Sequence, residues 1–494
     1  MIRFRVLGGG REVGRSCYQL DIDNYHFLLD CGISPKSKGL SSLPIIPDVN
    51  SINAIFVSHA HLDHTGAIPN LVRNGFKNKV FMTLPTLALL KLLWQDELSI
   101  MEREWSQEER LWSSKEMNIT LAKLTETLTY HELYKLDLIS INFHNAGHIL
   151  GSSMIEISYN DFRIVYTGDL GTSSNHLRYW RTDDIAYPNV LICEGTYGGK
   201  NRKSKEEISK EFIECIKTTL ERKGKILIPV FAVGKTQEIL KILKDNWNKL
   251  PNVDVYLEGM SLDALDVYEQ FMIYMADNIR RAFIFNNVNP FRWEALKQFK
   301  SLAERKEIYS KNEPCIIIAP SGMLRGGWSV WHMIRIAPIE NNLITILGHM
   351  ESGTIGYDLI NNIREFKLKD MISNEEVDVK VNCDIKHFDI SSHAMHSELC
   401  NYIARMKPEK LILIHGDYNS LNSIAENVKQ HVNEIIIPSN GDIIDLQLTP
   451  RELELPITKD FSIILPQYTK IKVKYKGEIR YINSSDINSI INQP

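Results

Sequence analysis

No apolar run in this chain approaches the ~18 residues that a membrane-spanning helix needs, so a membrane span is not expected. Cysteine is sparse and scattered, with seven residues and no C-x-x-C pair. Cys17, Cys31, Cys193 and Cys315 sit in apolar strand-like runs. That suits buried free thiols in a reducing cytoplasm and argues against a disulfide framework. Positive charge is not in excess either. The formal net charge is −4, so no global basic field announces nucleic acid, and a polyanionic substrate would need a local positive cleft. The opening "MIRFRVLGGG" goes straight into a strand-like alternation, without the apolar region of a signal peptide. Low-complexity segments and internal repeats are also missing. What is present, 494 residues with 44% apolar and 24% charged content, has the balance of a soluble globular protein of two or three domains.

The first part of the chain repeats one form. "NYHFLLDCG", "INAIFVSHAHLDH", "LISINFHNAGH", "FRIVYTGDLG" and "NVLICEGTYGG" are β-rich runs, each ending in a loop with His, Asp or Glu. Chemistry-bearing groups on loops held by a rigid sheet are a recurring functional arrangement. A helical pattern intervenes at "PTLALLKLLWQDEL". The texture changes at residue 198 to a charged linker and an amphipathic helix. Three segments of strand–loop–helix order follow, at "KILIPVFAVGKTQEILKIL", "VDVYLEGMSLDALDVYEQFM" and "CIIIAPSGMLRGGWSVWHMI", which predicts a parallel sheet in a second α/β domain. Near residue 376 the first texture returns. The expected organisation is a first domain over 1–197 and 376–447, an insertion over 198–375, and a small C-terminal extension over 448–494. In that extension "TKIKVKYKGEIR" alternates Lys470, Lys472, Lys474 and Lys476 with apolar residues. In a strand these lysines share one face. They guard an edge strand, or they contact an RNA backbone or a second subunit.

"SHAHLDHTG" carries the strongest chemical signal. His59, His61, Asp63 and His64 lie within six residues, directly after the strand "AIFV". Buried, four such side chains need partners; imidazole and carboxylate are ordinary zinc ligands, and the spacing lets alternate residues face two ions. His148 in "NAGHILGSS", Asp169 in "YTGDLG", Asp30 in "LLDCG" and His415 in "LILIHGDY" each follow a strand. Alone, each is more readily a turn residue or a cap. With the cluster they complete the roughly seven ligands, one carboxylate shared, that a two-metal site needs.

"HAHLDH", "GHILGSS", "YTGDLG" and "IHGD" resemble the metal-binding motifs of the metallo-β-lactamase fold. "CEGTYGG", "IPVFAVGKTQE", "APSGM" and "SSHAMHSE" are similar to those of its β-CASP branch. That branch contains RNase J and the endonuclease subunit of the eukaryotic mRNA 3′-end cleavage factor, and "GGGREVGRSCY" is closer to the second. The resemblance covers about residues 1–447. It implies an α/β fold, a metallo-β-lactamase αββα sandwich carrying an inserted β-CASP domain. It also implies two zinc ions, one on His59, His61 and His148, the other on Asp63, His64 and His415, with Asp169 bridging. Asp30 would orient a ligand histidine or the site loop, and Glu194 would hold a ligand imidazole. The implied activity is hydrolysis of RNA phosphodiesters, endonucleolytic, 5′-exonucleolytic or both. Hydroxide on zinc, available because the bound water's pKa falls to ~7, would attack phosphorus between two clamping ions. Asp63 would help steer the water.

"DISSHAMHSEL" holds two histidines three apart. His393 lies 22 residues before His415, the family spacing between the proton-donating histidine and the last metal ligand, so the resemblance makes it the acid for the leaving oxygen. His396 has no such match and reads as a rim or solvent histidine. Two positions depart from the family. Met395 stands where relatives often have an acid, and Gly195 where many have Ser. For the substrate, Ser321, Gly322 and Arg325 in "APSGMLRGG" and Lys235 in "VGKTQE" are candidate phosphate contacts, with a plain strand–helix turn as the alternative. "GGGREVGRS" lacks the spacing of a dinucleotide fingerprint; it reads as a tight turn, with Arg15 a further candidate contact. The expected partner is RNA, single-stranded, with a homodimer the expected assembly. Competing readings are a β-CASP DNA nuclease of the repair type, a small-molecule hydrolase, and a non-catalytic RNA-binding scaffold subunit. The insertion argues against the small-molecule hydrolase, because it would roof the site. The complete ligand set argues against the scaffold.

Overall fold

The computed structural model describes residues 1–446, except 173, 175, 181–184 and 186, together with the backbone of 470–475 and 478–483. Two seven-stranded sheets form the first domain. One runs in the order Ile443–Asp445, Ile2–Gly8, Cys17–Ile22, Tyr25–Cys31, Ala54–Phe56, Lys79–Met82, Thr125–Thr127. The other runs Glu434–Ile436, Lys410–Ile414, Val190–Glu194, Phe162–Tyr166, Ser153–Tyr159, Ile139–Asn145, Leu133–Leu136. Alternation explains how they meet. In Ile2–Gly8 the side chains of Ile2, Phe4 and Val6 are buried while Arg3 and Arg5 are half-buried, the period of two expected of a strand with one face on a core. Phe4, Phe27 and Phe56 of the first sheet share a buried cluster with Phe143, Ile155, Tyr166, Ile192 and Ile412 of the second.

Helices cover the outer faces. Leu84–Glu104 is the helix expected from "PTLALLKLLWQDEL", and Thr83 caps it by accepting from the Thr86 N–H. It carries one anomaly. Glu97 is buried on the inner face beside Trp94 and Met101. Burial, then Asp96 and Glu104, push its pKa up to about 7. The unfolded chain loses this proton first, so stability falls as pH rises from the ordinary glutamate range through about 7. Glu97→Gln should therefore stabilise the fold at pH 8 by about 2 kcal/mol, read as a higher thermal midpoint, and change little at pH 4. Equal shifts at both pH values would refute the assignment.

The insertion is a six-stranded parallel sheet, in the order Leu296–Lys297, Asp254–Leu257, Cys315–Ala319, Ile226–Pro229, Leu343–Leu347, Asp384–Phe388. Its central strands are buried throughout, as in parallel sheets covered on both faces. The amphipathic helix leading into it, Lys205–Glu221, starts at a Ser204/Glu207 capping box and buries Ile208, Phe212, Ile216 and Leu220. Asp384–Phe388 pairs with Leu343–Leu347, so the sheet of the insertion extends past residue 375, where the sequence texture had suggested its end. That strand is mostly exposed, with Phe388 buried at its end, and so lacks the continuous apolar run that marks the central strands of the insertion. In the extension, Lys470–Tyr475 pairs antiparallel with Glu478–Asn483; the reading of its lysine side chains lies outside the described residues. No helix among the described residues is long and apolar enough to cross a membrane.

Candidate metal centre

Parallel strands place the candidate ligands. Tyr25–Cys31 pairs with Ala54–Phe56, and Phe162–Tyr166, Val190–Glu194 and Lys410–Ile414 pair in parallel in the second sheet. Their carboxyl ends lie level, and Asp30, His59, Asp169, Glu194 and His415 stand on or just after them. Close backbone approach completes the frame. A Cβ on Gly32 would lie 1.8 Å from the Asp63 carbonyl oxygen, so only glycine lets the Asp30 loop pack on the histidine cluster. The Gly9 carbonyl accepts the His415 N–H at 2.9 Å. The glycine-rich N-terminal turn therefore positions His415. Asp30 and His415 both adopt left-handed backbone conformations, with φ of 58° and 50°, each costing on the order of 1 kcal/mol that the surrounding bonds must offset.

Two groups of side chains converge. His59 Nε2 lies 3.1 Å and His148 Nε2 3.3 Å from His61 Nδ1. Both Nε2 atoms lie 3.6 Å from Asp169 Oδ2. On the other side His64 Nε2 is 3.4 Å from Asp169 Oδ1 and 3.9 Å from Asp63 Oδ2, and His415 Nε2 is 3.5 Å from Asp63 Oδ2. Asp169 stands between the groups, one oxygen facing each. The edge of a tetrahedron of zinc ligands is about 3.3 Å at the usual bond lengths, and these separations scatter around it. The protonation pattern fits a cation too. Burial holds His59 and His148 well below the ordinary histidine value and His61 down to about 4, leaving neutral rings with free lone pairs. Burial also opposes protonation of His64 and His415, but the carboxylates win. Asp169, Asp63 and Asp30 hold His64 well above its usual value, and Asp169 and Asp63 lift His415 to about 10. Positive charge is demanded there, and Asp169 Oδ1 and His415 Nε2 are buried without a hydrogen bond. The donor set suits metal ions.

Asp30 organises this cluster. Its carboxylate accepts from Ser58 N and Oγ at 2.6 Å each, from Tyr166 Oη at 2.6 Å, and faces His64 Nδ1 at 2.7 Å. Glu194 does something other than expected. It holds no ligand imidazole of the two groups. Its Oε1 accepts from the Leu170 N–H at 2.7 Å and meets His393 Nδ1 at 3.1 Å. His393 Nε2 then points inward, 3.8 Å from Asp169 Oδ2. Burial opposes the charged ring, but Glu194 and Asp169 raise the His393 pKa. Asp169, Glu194 and His393 also form a third group with metal-ligand geometry. His396 is not a free rim histidine. Its Nδ1 accepts from the Gly199 N–H at 3.0 Å, and the Met395 sulfur accepts from the Arg202 N–H at 3.4 Å. Arg202 in turn donates to the His393 carbonyl at 2.6 Å. This segment thus ties the linker after Glu194 to the loop of His393. Gly195 packs on Leu421, where a Cβ would stand 2.4 Å from a methyl, so a serine there would require repacking.

The candidate phosphate contacts are engaged with protein groups, and of them Lys235 lies beside the cluster. Arg325 pairs with Glu351 and donates to the Pro35 carbonyl, and so bridges the two domains. Ser321 Oγ caps the same turn by accepting from the Arg325 N–H at 2.9 Å, and Gly322 packs on Val230 and Phe231. The Lys235 ammonium donates to the Ile390 carbonyl, and burial pushes its pKa down to about 8. Lys235 lines a small cavity with His148, His176 and Ser392. Arg15 is taken by Glu12 at 2.6 Å. The sequence reading missed Tyr166, Ser58 and Thr196, whose hydroxyl meets His415 Nδ1 at 3.2 Å. Ser58 and Thr196 lie within two residues of a named site residue, which was the one available signal.

Three family models match this chain. They are a metallo-beta-lactamase superfamily domain over residues 19–182, a Beta-Casp domain over 236–359, and a Zn-dependent metallo-hydrolase RNA specificity domain over 378–438. Transcription termination factor FttA of Methanocaldococcus jannaschii is 32% identical over 90% of this chain and 71% of its own length. Endoribonuclease YSH1 of Yarrowia lipolytica is 31% identical over 85% of this chain and 51% of its own. Cleavage and polyadenylation specificity factor subunit 3 of Dictyostelium discoideum is 30% identical, with coverages of 92% and 58%. A crystal structure of a protein of unknown function from Enterococcus faecalis V583 superposes with a TM-score of 0.56 at 15% identity, over 90% of this chain and 99% of that one, a likeness of fold.

Proposed function

The chain belongs to the β-CASP branch of the metallo-β-lactamase superfamily, and from that premise we propose that it is a zinc-dependent ribonuclease acting in RNA processing or decay in the cytoplasm. The observation that carries this reading is Asp169, with one oxygen facing His59 and His148 and the other facing His64. That arrangement supports a reading of two zinc ions per chain, one on His59, His61 and His148 and one on Asp63, His64 and His415. Bound zinc supplies Lewis-acid polarisation of the scissile phosphate and a nucleophile that is ionised near neutral pH. The protein's own residues do the rest. Asp169 and Asp63 set the charge of the floor. Glu194 fixes the His393 ring through Nδ1, which leaves Nε2 as the proton donor to the leaving O3′. The Glu194 carboxylate beside Nδ1 favours the charged form of that ring. Single-stranded RNA as substrate and a homodimer in solution belong to the same proposal. The seven free cysteines agree with a reducing compartment.

The test incubates purified protein with 5′- and 3′-labelled RNA and matching DNA, with and without a chelator. RNA should be cut, chelator should stop the reaction, and zinc should restore it. The position of the first labelled products separates internal cleavage from trimming at the 5′ end. Cleavage of DNA alone would replace this reading with the DNA-nuclease one, and chelator-insensitive cleavage would remove the metal from it.

A further inference from the structure

The parallel sheet of the insertion brings four loops to one edge. Ile226–Pro229 leads to Phe231, Cys315–Ala319 to Ser321, Leu343–Leu347 to His349, and Asp384–Phe388 to His393. These strands pair in parallel register, so their carboxyl ends lie together, beside the metal centre. The turn after Ile226–Pro229 touches the site directly, since a Cβ on Gly234 would stand 2.9 Å from Ile149 Cγ2, next to His148. Within that turn Val230 is 1% exposed, Ala232 4% and Val233 4%, yet Phe231 is 41% exposed. Its neighbours bury and the aromatic ring does not.

Three cationic or protonatable side chains gather at the same mouth from three segments. Lys36 comes from the loop whose Pro35 carbonyl receives Arg325. Lys200 comes from the linker pinned to His396. His349 follows Leu343–Leu347, and Gly348 beside it packs on the Lys235 ammonium and the Ile390 carbonyl. All three are exposed, and among the described residues none has an ion pair. Burial and then the charge of Lys200 depress the His349 pKa, with Lys36 adding to this, so each lysine lies within electrostatic reach of His349, and Lys200 also faces Asp417. The acids that also face His349 are Glu351 and Asp389. Glu351 is paired with Arg325, and Asp389 lies beside Lys235. In a chain of net charge −4, unpaired cations converging on one edge next to an exposed ring form a local field for a polyanion with free bases.

We propose that this mouth is the entry clamp for one RNA strand, in which Lys36, Lys200 and His349 hold backbone phosphates and Phe231 stacks on an unpaired base. The proposal rests on the ribonuclease reading for its substrate class, and names the residues that would hold that substrate outside the metal centre. Backbone contacts position without selecting sequence, and a stacked base requires a strand that is not paired.

Fluorescence anisotropy of a labelled single-stranded oligoribonucleotide tests it, recorded on mixing with the full metal-loaded chain. The double variant Lys36→Ala/Lys200→Ala should bind about tenfold more weakly, and its plot of log affinity against log salt should be shallower by about 1.4, or ~0.7 for each lost phosphate contact on a single strand. Phe231→Leu should weaken binding about tenfold with the salt slope unchanged. Lys79→Ala, at the start of Lys79–Met82 and so at the opposite end of the sheet from the site, serves as the control and should bind as wild type. Circular dichroism reports the folding of every variant. Wild-type affinity and salt slope in the double variant and in Phe231→Leu would overturn the clamp while leaving the ribonuclease reading intact. Binding that depends on these residues without any RNA cleavage would overturn the ribonuclease reading and leave the clamp. Tighter binding of duplex RNA, or no RNA binding at all, would overturn the clamp.

Discussion

His393→Ala should lower RNA cleavage by about 10²–10⁴-fold, the usual contribution of a positioned acid, while metal content stays near wild type. Two features of the geometry set this apart from loss of a ligand. The clusters around His59 and around His64 each hold a full donor set without His393. The His393 ring is oriented from behind by Glu194, which is itself fixed by the Leu170 and Thr196 N–H groups. A ring held through Nδ1 keeps Nε2 for a proton. The competing outcome is specific, because His393, Asp169 and Glu194 could also hold an ion. If metal analysis of the variant shows a lost equivalent of zinc, His393 is a ligand and the acid must be sought elsewhere. Supplying a good leaving group separates the cases further. An activated phosphodiester needs no proton at its leaving oxygen, so His393→Ala should cleave it nearly as well as wild type does.

Asp169→Asn should cost at least about 10³-fold in cleavage, matching the several kcal/mol that bound ions contribute, and should lower the zinc content as well. Both oxygens of this carboxylate are in use, one toward His59 and His148, the other toward His64 and His415. An amide keeps the shape but offers one acceptor and one donor, and the donor would face an imidazole lone pair or an ion. The loss should therefore appear in metal analysis as well as in rate, unlike that of His393→Ala. Full zinc occupancy in Asp169→Asn would show that the carboxylate is not shared.

The sequence by itself determined which chemistry-bearing residue types stand at the candidate site. His59, His61, Asp63 and His64 lie within one short loop, and His148, Asp169 and His415 each follow a run of strand-forming residues. Residue type and strand-end position are local properties that survive without coordinates. The inserted parallel sheet was legible for the same reason, since its buried strands are continuous apolar runs. Its last strand was not, because Asp384–Phe388 is largely exposed and carries no continuous apolar run. Partnership was decided only in the tertiary structure. Glu194 and His393 are 199 residues apart, Asp30 and Tyr166 136, Thr196 and His415 219. No periodicity links residues so distant. Two sheets and an insertion must first bring their strand ends together. Folding also reassigned residues that looked equivalent in the chain. His393 and His396 sit three apart, yet one turns to Glu194 and the metal centre and the other to the Gly199 N–H. Arg325, by sequence a candidate phosphate contact or a plain turn residue, is held between Glu351 and Pro35, and Phe231, unmarked in the sequence, stands exposed at the mouth. A side chain's type states what it can bind; the packing of distant segments around it decides what it does bind.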